Sequence, residues 1–121
     1  MYIILIHWKI RHAQEGDFLK YWRTQVPIND DNNLVGEFLC APFRGGLPYP
    51  VVPFDSSKKY ISYVNVALWK DKASFFKQVG RYIPKRGSKL QSFEAFRRER
   101  IPLDPRHWRR GKFPFPLKNS L

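Results

Sequence analysis

The sequence predicts an α+β fold in which an antiparallel sheet carries helices on one face. Two stretches, residues 2–10 and 60–69, alternate as strands do, and both of their faces are apolar. Other stretches place apolar residues at the three- and four-residue spacing of helices. Strands that are apolar on both faces need cover on both faces. We expect the chain's own helices to supply one cover and a second copy of the chain to supply the other.

The strands and helices follow one another in a recognisable order. A further strand is predicted at about residues 34–42, between the two stretches above, from its β-prone and buried residue types. A first helix follows Asp17 and ends at Pro27. Its apolar face is Phe18, Tyr21, Trp22 and Val26. A second helix is capped by Asp71, and its apolar face is Phe75, Val79 and Tyr82.

The C-terminal third is predicted to hold one more helix and one more strand. Ser88 begins a capping-box spacing, and Pro102 ends the helix. The stripe of this third helix is Leu90, Phe93 and Phe96. A short last strand is predicted at residues 107–109. The resulting order, β-α-β-β-α with an extra helix and strand, is the ferredoxin-like pattern, and we expect a single domain over residues 1–121.

Composition and motifs exclude several classes of protein. Aromatic residues make up 17% and charged residues 26% of the chain, which excludes a disordered chain. No apolar run is long enough to span a bilayer, and no basic region precedes the apolar start, so we expect a cytoplasmic protein without a signal peptide or a membrane contact. Cys40 is the only cysteine, which excludes an intrachain disulfide. The three histidines lack the spacing of a helical metal site, and we expect neither metal nor cofactor.

The positive charge is concentrated near the C-terminus. Residues 77–121 carry 13 basic and 3 acidic side chains, against 9 and 7 in residues 1–76. Within the basic C-terminal segment, residues 97–121, three interpretations stay open. In the first, the segment is a solvated surface. In the second, one or two of its arginines, such as Arg109, bind an acidic ligand. In the third, the segment binds nucleic acid. No nucleic-acid motif accompanies the segment, so we rank nucleic acid last.

Residues 43–58 form a long loop rich in proline and glycine. Apolar side chains are interleaved with Gly45, Gly46, Pro48, Pro50 and Pro53. Apolar loops of this length need cover, and two interpretations stay open, a lid over a site and an arm that packs on a dimer partner.

Two stretches of the chain resemble a known family. They are the opening strand, residues 2–9, and residues 64–75 (VNVALWKDKASF), where a strand ending in Trp69 and Lys70 precedes a helix with Phe75. With the element order, they resemble the dimeric α/β-barrel proteins of the antibiotic biosynthesis monooxygenase type, over about two-thirds of the chain.

The resemblance implies a homodimer in which two four-stranded sheets pair into a barrel. It implies a substrate cavity in each subunit, between the sheet and its own helices. It also implies a cofactor-independent monooxygenase, an oxidoreductase that holds a small aromatic or polyketide-like substrate while that substrate activates oxygen. A haem-degrading branch of the family uses an Asn, a Trp and a His. The matching positions here are His7, Gln78 and Ser88, so we do not expect haem degradation.

Four residues on two strands are candidates for the site. His7 interrupts an apolar strand and can shuttle protons near neutral pH, and with Asn65 it forms the predicted catalytic pair. Tyr63 and Trp69 lie on the same side of their strand as Asn65 and are predicted to contact the substrate. We expect that side to share a cavity with His7. The alternative is core packing for the two aromatic residues and a hydrogen-bonded core role for His7 and Asn65.

The sequence thus predicts a small-molecule-binding dimeric α/β-barrel protein, with cofactor-independent monooxygenation as the implied reaction. The alternative is a non-enzymatic module that contacts an anionic partner, a nucleic acid or an acidic ligand, through the basic C-terminal segment.

Overall fold

A computed structural model describes residues 1–24, 33–43 and 45–112. Four strands and two helices make up its regular structure, together with short 3₁₀ turns at His12–Gln14 and Gly80–Tyr82. In chain order they are β1 (Tyr2–Ile10), α1 (Glu15–Thr24), β2 (Leu34–Cys40), β3 (Ile61–Trp69), α2 (Lys72–Gln78) and β4 (Glu94–Leu103).

The strands form one antiparallel sheet in the order β2-β3-β1-β4. This order and the two helices make an α+β structure compatible with a ferredoxin-like fold, which confirms the predicted fold class at that level. The two strands that are apolar on both faces, β1 and β3, occupy the centre of the sheet. Central strands have neighbours on both sides and bury most of their surface, so apolar residues suit them on either face.

Both helices lie on the same face of the sheet, here called the inner face. At one end Phe18 of α1 packs with Trp8, Ile10 and Phe93, all buried. At the other end Phe75 of α2 packs on three buried sheet residues. They are Ile4, Ala67 and Trp69. The side chain of Asp71 accepts a hydrogen bond from the Ser74 backbone N–H at 2.7 Å, which confirms the predicted cap of α2.

The opposite face of the sheet, here called the outer face, carries no helix among the described residues. Strand register aligns its side chains in rows across all four strands. One row is Phe38, Val66, Leu5 and Ile101, and it is wholly apolar. The next row towards the C-terminal end of β4 contains Leu68, Ile3 and Leu103. The two edge residues of the first row, Phe38 and Ile101, are 48% and 42% exposed, so this apolar face is open in the single chain.

The prediction for the C-terminal third is wrong in its secondary structure. The stretch assigned to a third helix contains β4, and no strand forms at residues 107–109. The free edge of β1 needs hydrogen-bonding partners for its backbone, and β4 supplies them, which outweighs the helical spacing of the apolar residues. Pro102 is tolerated because β4 is an edge strand.

Helix α2 is also shorter than predicted. Helix α2 ends at Gln78, and Tyr82 lies on a separate 3₁₀ turn where it is exposed. Val26 and Pro27 of the first predicted helix lie outside the described residues. None of the helices described has the length and apolar character needed to cross a membrane.

Candidate functional site

A cavity of about 490 Å³ lies between the inner face and the helices. Its floor is formed by Ile6 and Trp8 of β1 and by Arg98 and Arg100 of β4. Its walls come from both helices and the segment after α2, and they include Tyr21, Phe75, Gln78, Val79, Tyr82, Ile83 and Ser88. Cavities of this size with aromatic walls and a few polar groups are typical small-molecule sites.

Arg98 is fixed by a buried ion pair. Its Nη2 donates to Glu94 Oε1, and the side chains are 8% and 1% exposed. The guanidinium also lies 4.2 Å from the centre of the Trp8 ring, within the range of a cation–π contact. These contacts hold the arginine against the cavity floor. A buried charge needs such compensation, because removing it from water is costly.

Arg100 is less well compensated than Arg98. Its Nη2 donates to Ser88 Oγ at 2.9 Å, and no carboxylate pairs with it among the described residues. Burial lowers the pKa of Arg100, and the nearby positive charge of Arg98 lowers it further, while the Glu94 carboxylate opposes both effects. The guanidinium therefore lies in a place that favours an added negative charge.

Two buried donors on residues that line the cavity have no acceptor within the described part of the chain. They are the Nε1–H of Trp8 and the Nε–H of Arg98. Buried polar groups are normally hydrogen-bonded, so two free donors at one cavity are unusual. The cavity thus combines aromatic walls with three groups that donate hydrogen bonds or carry positive charge: Trp8, Arg98 and Arg100.

His7 lies on the outer face, away from this cavity. It pairs with Val64 in the β1–β3 register, whereas Asn65 pairs with Ile6. The expectation that His7 and the Asn65 side of β3 share a cavity is therefore wrong. Side chains alternate along a strand, so neighbours in register share a face and residues one position apart do not. The β1 residues that line the cavity are Ile6 and Trp8.

On the outer face, His7 of the sheet contacts the end of the proline-rich loop. Its Nε2 lies 3.0 Å from Ser62 Oγ and 3.3 Å from Asp55 Oδ2, and its ring meets Phe54 at a centroid distance of 4.9 Å. Burial lowers the pKa of His7, with Asp55 opposing. A hydrogen bond from the Tyr60 hydroxyl is the main cause that lowers the pKa of Asp55.

This cluster differs from a serine hydrolase triad. In a triad the serine and the carboxylate are hydrogen-bonded to different nitrogens of the histidine. Here Ser62 and Asp55 both approach Nε2. The carboxylate on the Nδ1 side, Glu99, is 3.8 Å away, beyond hydrogen-bond distance, and pairs with Lys9. Among the residues described, no cluster of three or more His, Cys, Asp or Glu side chains is arranged to hold a metal ion.

The described residues of the proline-rich loop, 43 and 45–58, are largely exposed. Val52 is 95% exposed, and the end of the loop, at Phe54 and Asp55, contacts His7. That anchoring point lies on the outer face, whereas the cavity lies on the inner face. The position therefore favours an arm over a lid.

Asn65, Tyr63 and Trp69 lie together on the inner face, as predicted, within the packing around the cavity. The side chain of Asn65 is buried, accepts from Trp22 Nε1 at 2.7 Å and donates to Glu37 Oε2 at 3.3 Å. Trp69 is 1% exposed in the core beside α2. Tyr63 packs against Phe18, and burial raises the pKa of its hydroxyl. None of the three lines the cavity.

The basic C-terminal segment is divided by β4. Arg98 and Arg100 point to the cavity, whereas Arg106 and Arg109 follow the strand and are exposed. Arg109, the predicted anion contact, does not line the cavity. The segment's residues 113–121 lie outside the described part of the chain.

The sequence reasoning missed the cavity's two arginines and Trp8. Arg98 and Arg100 are two residues apart, so a strand places them on one face. The signal was hidden because the stretch was assigned to a helix. Of the three positions that the family resemblance matched, Gln78 and Ser88 line the cavity and His7 does not.

No family model matches the chain, and a search of curated proteins finds no significant relative. The resemblance to the antibiotic biosynthesis monooxygenase type therefore stays a hypothesis.

Proposed function

We propose that the protein binds a small, flat, partly apolar molecule in the cavity between the inner face and the helices. The observation that carries this proposal is the cavity itself, about 490 Å³ in volume and walled by Tyr21 and Phe75 above a floor of Trp8. Flat apolar molecules pack well between aromatic side chains, and burial of their surface drives binding.

A cavity-filling variant tests this proposal. Ile83 lines the cavity from the segment after α2, and Ile83→Trp adds bulk there. We expect 2-naphthol, a flat neutral probe, to bind saturably to the unmodified protein and at least about tenfold more weakly to the variant, the equivalent of 1.4 kcal/mol. Leu90→Trp is the matched control, because Leu90 is exposed in the same stretch and lies outside the cavity lining.

Titration calorimetry measures both affinities. The proposal fails if the unmodified protein shows no saturable binding of the probe. It also fails if Ile83→Trp binds the probe as tightly as the Leu90→Trp control does.

The protein is further proposed to act as a homodimer that pairs through the outer face. The apolar rows of that face and the exposed apolar residues of the loop at residues 43–58 support the pairing. Exposed apolar surface of this kind marks interaction sites on soluble proteins. Paired outer faces would form the barrel that the family resemblance implies, and they would leave the inner cavity of each copy free.

A single charge on the outer face tests the dimer. Phe38→Glu places a carboxylate in the apolar row, so light scattering should find a dimer for the unmodified protein and a monomer for the variant. Phe76→Glu is the matched control, because Phe76 is also exposed but lies on α2. A monomer for the unmodified protein at micromolar concentration contradicts the pairing.

Oxidation of the bound molecule is a separate hypothesis that rests on the family resemblance. In that reaction an electron-rich phenolic substrate supplies the electrons, one oxygen atom of O₂ enters the product and the other leaves as water. Oxygen uptake that depends on both protein and substrate, without added cofactor, supports it. Binding without oxygen uptake, across a panel of such phenols, favours a non-enzymatic binding protein.

A polyanion partner for the basic C-terminal segment is the competing hypothesis. The placement of Arg98 and Arg100 at the cavity removes two cations from that surface. Filter binding to DNA and RNA at two salt concentrations tests whether the other basic residues of the segment bind a polyanion. Polyanion binding is favoured over ligand binding in the cavity if the affinity depends steeply on salt concentration. That dependence should disappear when Arg106, Arg109 and Arg110 are replaced by alanine.

A further inference from the structure

We propose that the cavity selects ligands that carry a single carboxylate, which Arg100, Arg98 and the Trp8 indole bind together. This inference deepens the proposed function, since it names the class of ligand and depends on the cavity being a binding site.

The first observation is the balance of charge at the cavity. Two guanidinium groups, Arg98 and Arg100, line it, and among the described residues the ion pair of Glu94 is with Arg98. One positive charge is left over, and it belongs to the half-buried Arg100. A monoanion neutralises that charge, whereas a neutral ligand leaves it with only the Ser88 hydroxyl and the Glu94 carboxylate, which is already paired, as compensation.

The second observation is the pair of free donors. The Nε–H of Arg98 and the Nε1–H of Trp8 have no acceptor within the described chain, and the Arg98 side chain and Trp8 are more than nine-tenths buried. A carboxylate has two oxygens that accept several hydrogen bonds between them. At the cavity floor it can therefore accept from Arg100 and, once the floor side chains shift to uncover them, from the two free donors.

The third observation concerns the rest of the ligand. The cation–π contact between Arg98 and Trp8 brings the free donors next to an aromatic floor, and Tyr21 and Phe75 line the same cavity. A ligand with its carboxylate at the donors extends its other atoms along aromatic side chains. The class that fits both parts is an aromatic carboxylic acid in its ionised form.

A matched pair of probes tests the inference. The probes are 2-naphthoate and 2-naphthamide, which share one ring system and differ in charge. Hydrogen bonds to charged groups are the stronger kind, so we expect the acid to bind at least about tenfold more tightly than the amide. In Arg100→Leu the preference should fall to about onefold, because the acid loses far more affinity than the amide does.

Arg100 is chosen because the change leaves the buried Glu94–Arg98 pair intact. The matched control is Arg106→Leu, which removes the same charge from an exposed arginine that pairs with Asp104. This control should keep the full preference for the acid. Circular dichroism confirms that each variant is folded before titration.

The outcomes separate the two proposals. Equal affinity for acid and amide, or a preference that survives Arg100→Leu, overturns the carboxylate inference and leaves the cavity as a binding site. A preference lost equally in Arg106→Leu overturns it too, since general charge attraction then explains the effect. If neither probe nor 2-naphthol binds, the proposed function fails, and the inference fails with it.

Discussion

Removal of Glu94 should destabilise the protein more than any other single loss of charge in the described chain. The carboxylate is 1% exposed, and its partner Arg98 has a side chain that is 8% exposed. Glu94→Ala leaves the arginine buried beside Trp8 without a counter-charge. Breaking a buried pair from one side costs about 3–5 kcal/mol. That is a large part of the 5–15 kcal/mol by which domains are typically stable.

Replacing both partners should cost much less than replacing Glu94 alone. In Glu94→Leu with Arg98→Met, neither charge is left in the interior, and Met can contact the Trp8 ring. We expect the double variant to lie within about 2 kcal/mol of the unmodified protein, since apolar replacements of buried pairs are often tolerated. Its preference for carboxylate ligands should weaken, because the Arg98 donor is lost.

Urea unfolding followed by tryptophan fluorescence measures these free energies. Asp104→Ala is the control, because Asp104 pairs with Arg106 in an exposed ion pair and should cost no more than about 1 kcal/mol. A cost for Glu94→Ala as small as that of this control would contradict the role of the buried ion pair. That role is also refuted if the double variant is as unstable as the sum of the two single variants.

Three further predictions concern the helices, the inner face and the outer face. Asp71→Ala should cost about 1 kcal/mol of unfolding free energy, because α2 loses its cap. Asp71→Asn should cost much less, because asparagine is also a good cap, and equal losses for the two variants would refute the capping role. Asn65→Ala should lower the free energy of unfolding in urea by about 1–3 kcal/mol, because the Trp22 indole loses its acceptor. A variant that keeps full stability but loses ligand turnover would support the catalytic role instead. Burial lowers the pKa of His7 from its ordinary value of 6.5, so the unfolded state binds the proton more tightly. Unfolding free energy should therefore fall as pH drops below about 6.5 and towards the folded pKa, and His7→Gln should reduce that slope; an unchanged slope in the variant would contradict the assignment.

The central strands were predictable because their pattern is strong. β1 and β3 are apolar on both faces, a pattern that few other local structures produce, and Asp71 stands where a cap is needed between β3 and α2. β4 was not predictable in the same way. Its basic residues and helical spacing favoured a helix, and only the unpaired edge of β1 explains why it is extended.

The site was harder to predict than the fold because strand register decides which side chains meet. His7 and Asn65 lie on neighbouring strands, and a shift of one residue in register would have placed them on one face. Local sequence does not determine that shift. The two arginines of the cavity could not be predicted from local sequence either, since they share a face only when β4 is a strand.

The most direct test of the cavity as the ligand site is NMR spectroscopy of side-chain N–H groups during titration with 2-naphthoate. We predict saturable shifts of the Trp8 indole and the Arg98 Nε–H signals, because these donors gain an acceptor. The indole N–H signals of Trp22 and Trp108 should not shift, since these groups already donate to Asn65 and to the Gly111 carbonyl. Shifts concentrated at Trp108 and Arg109, or at His7 on the outer face, with the Trp8 signal unchanged, would contradict the account.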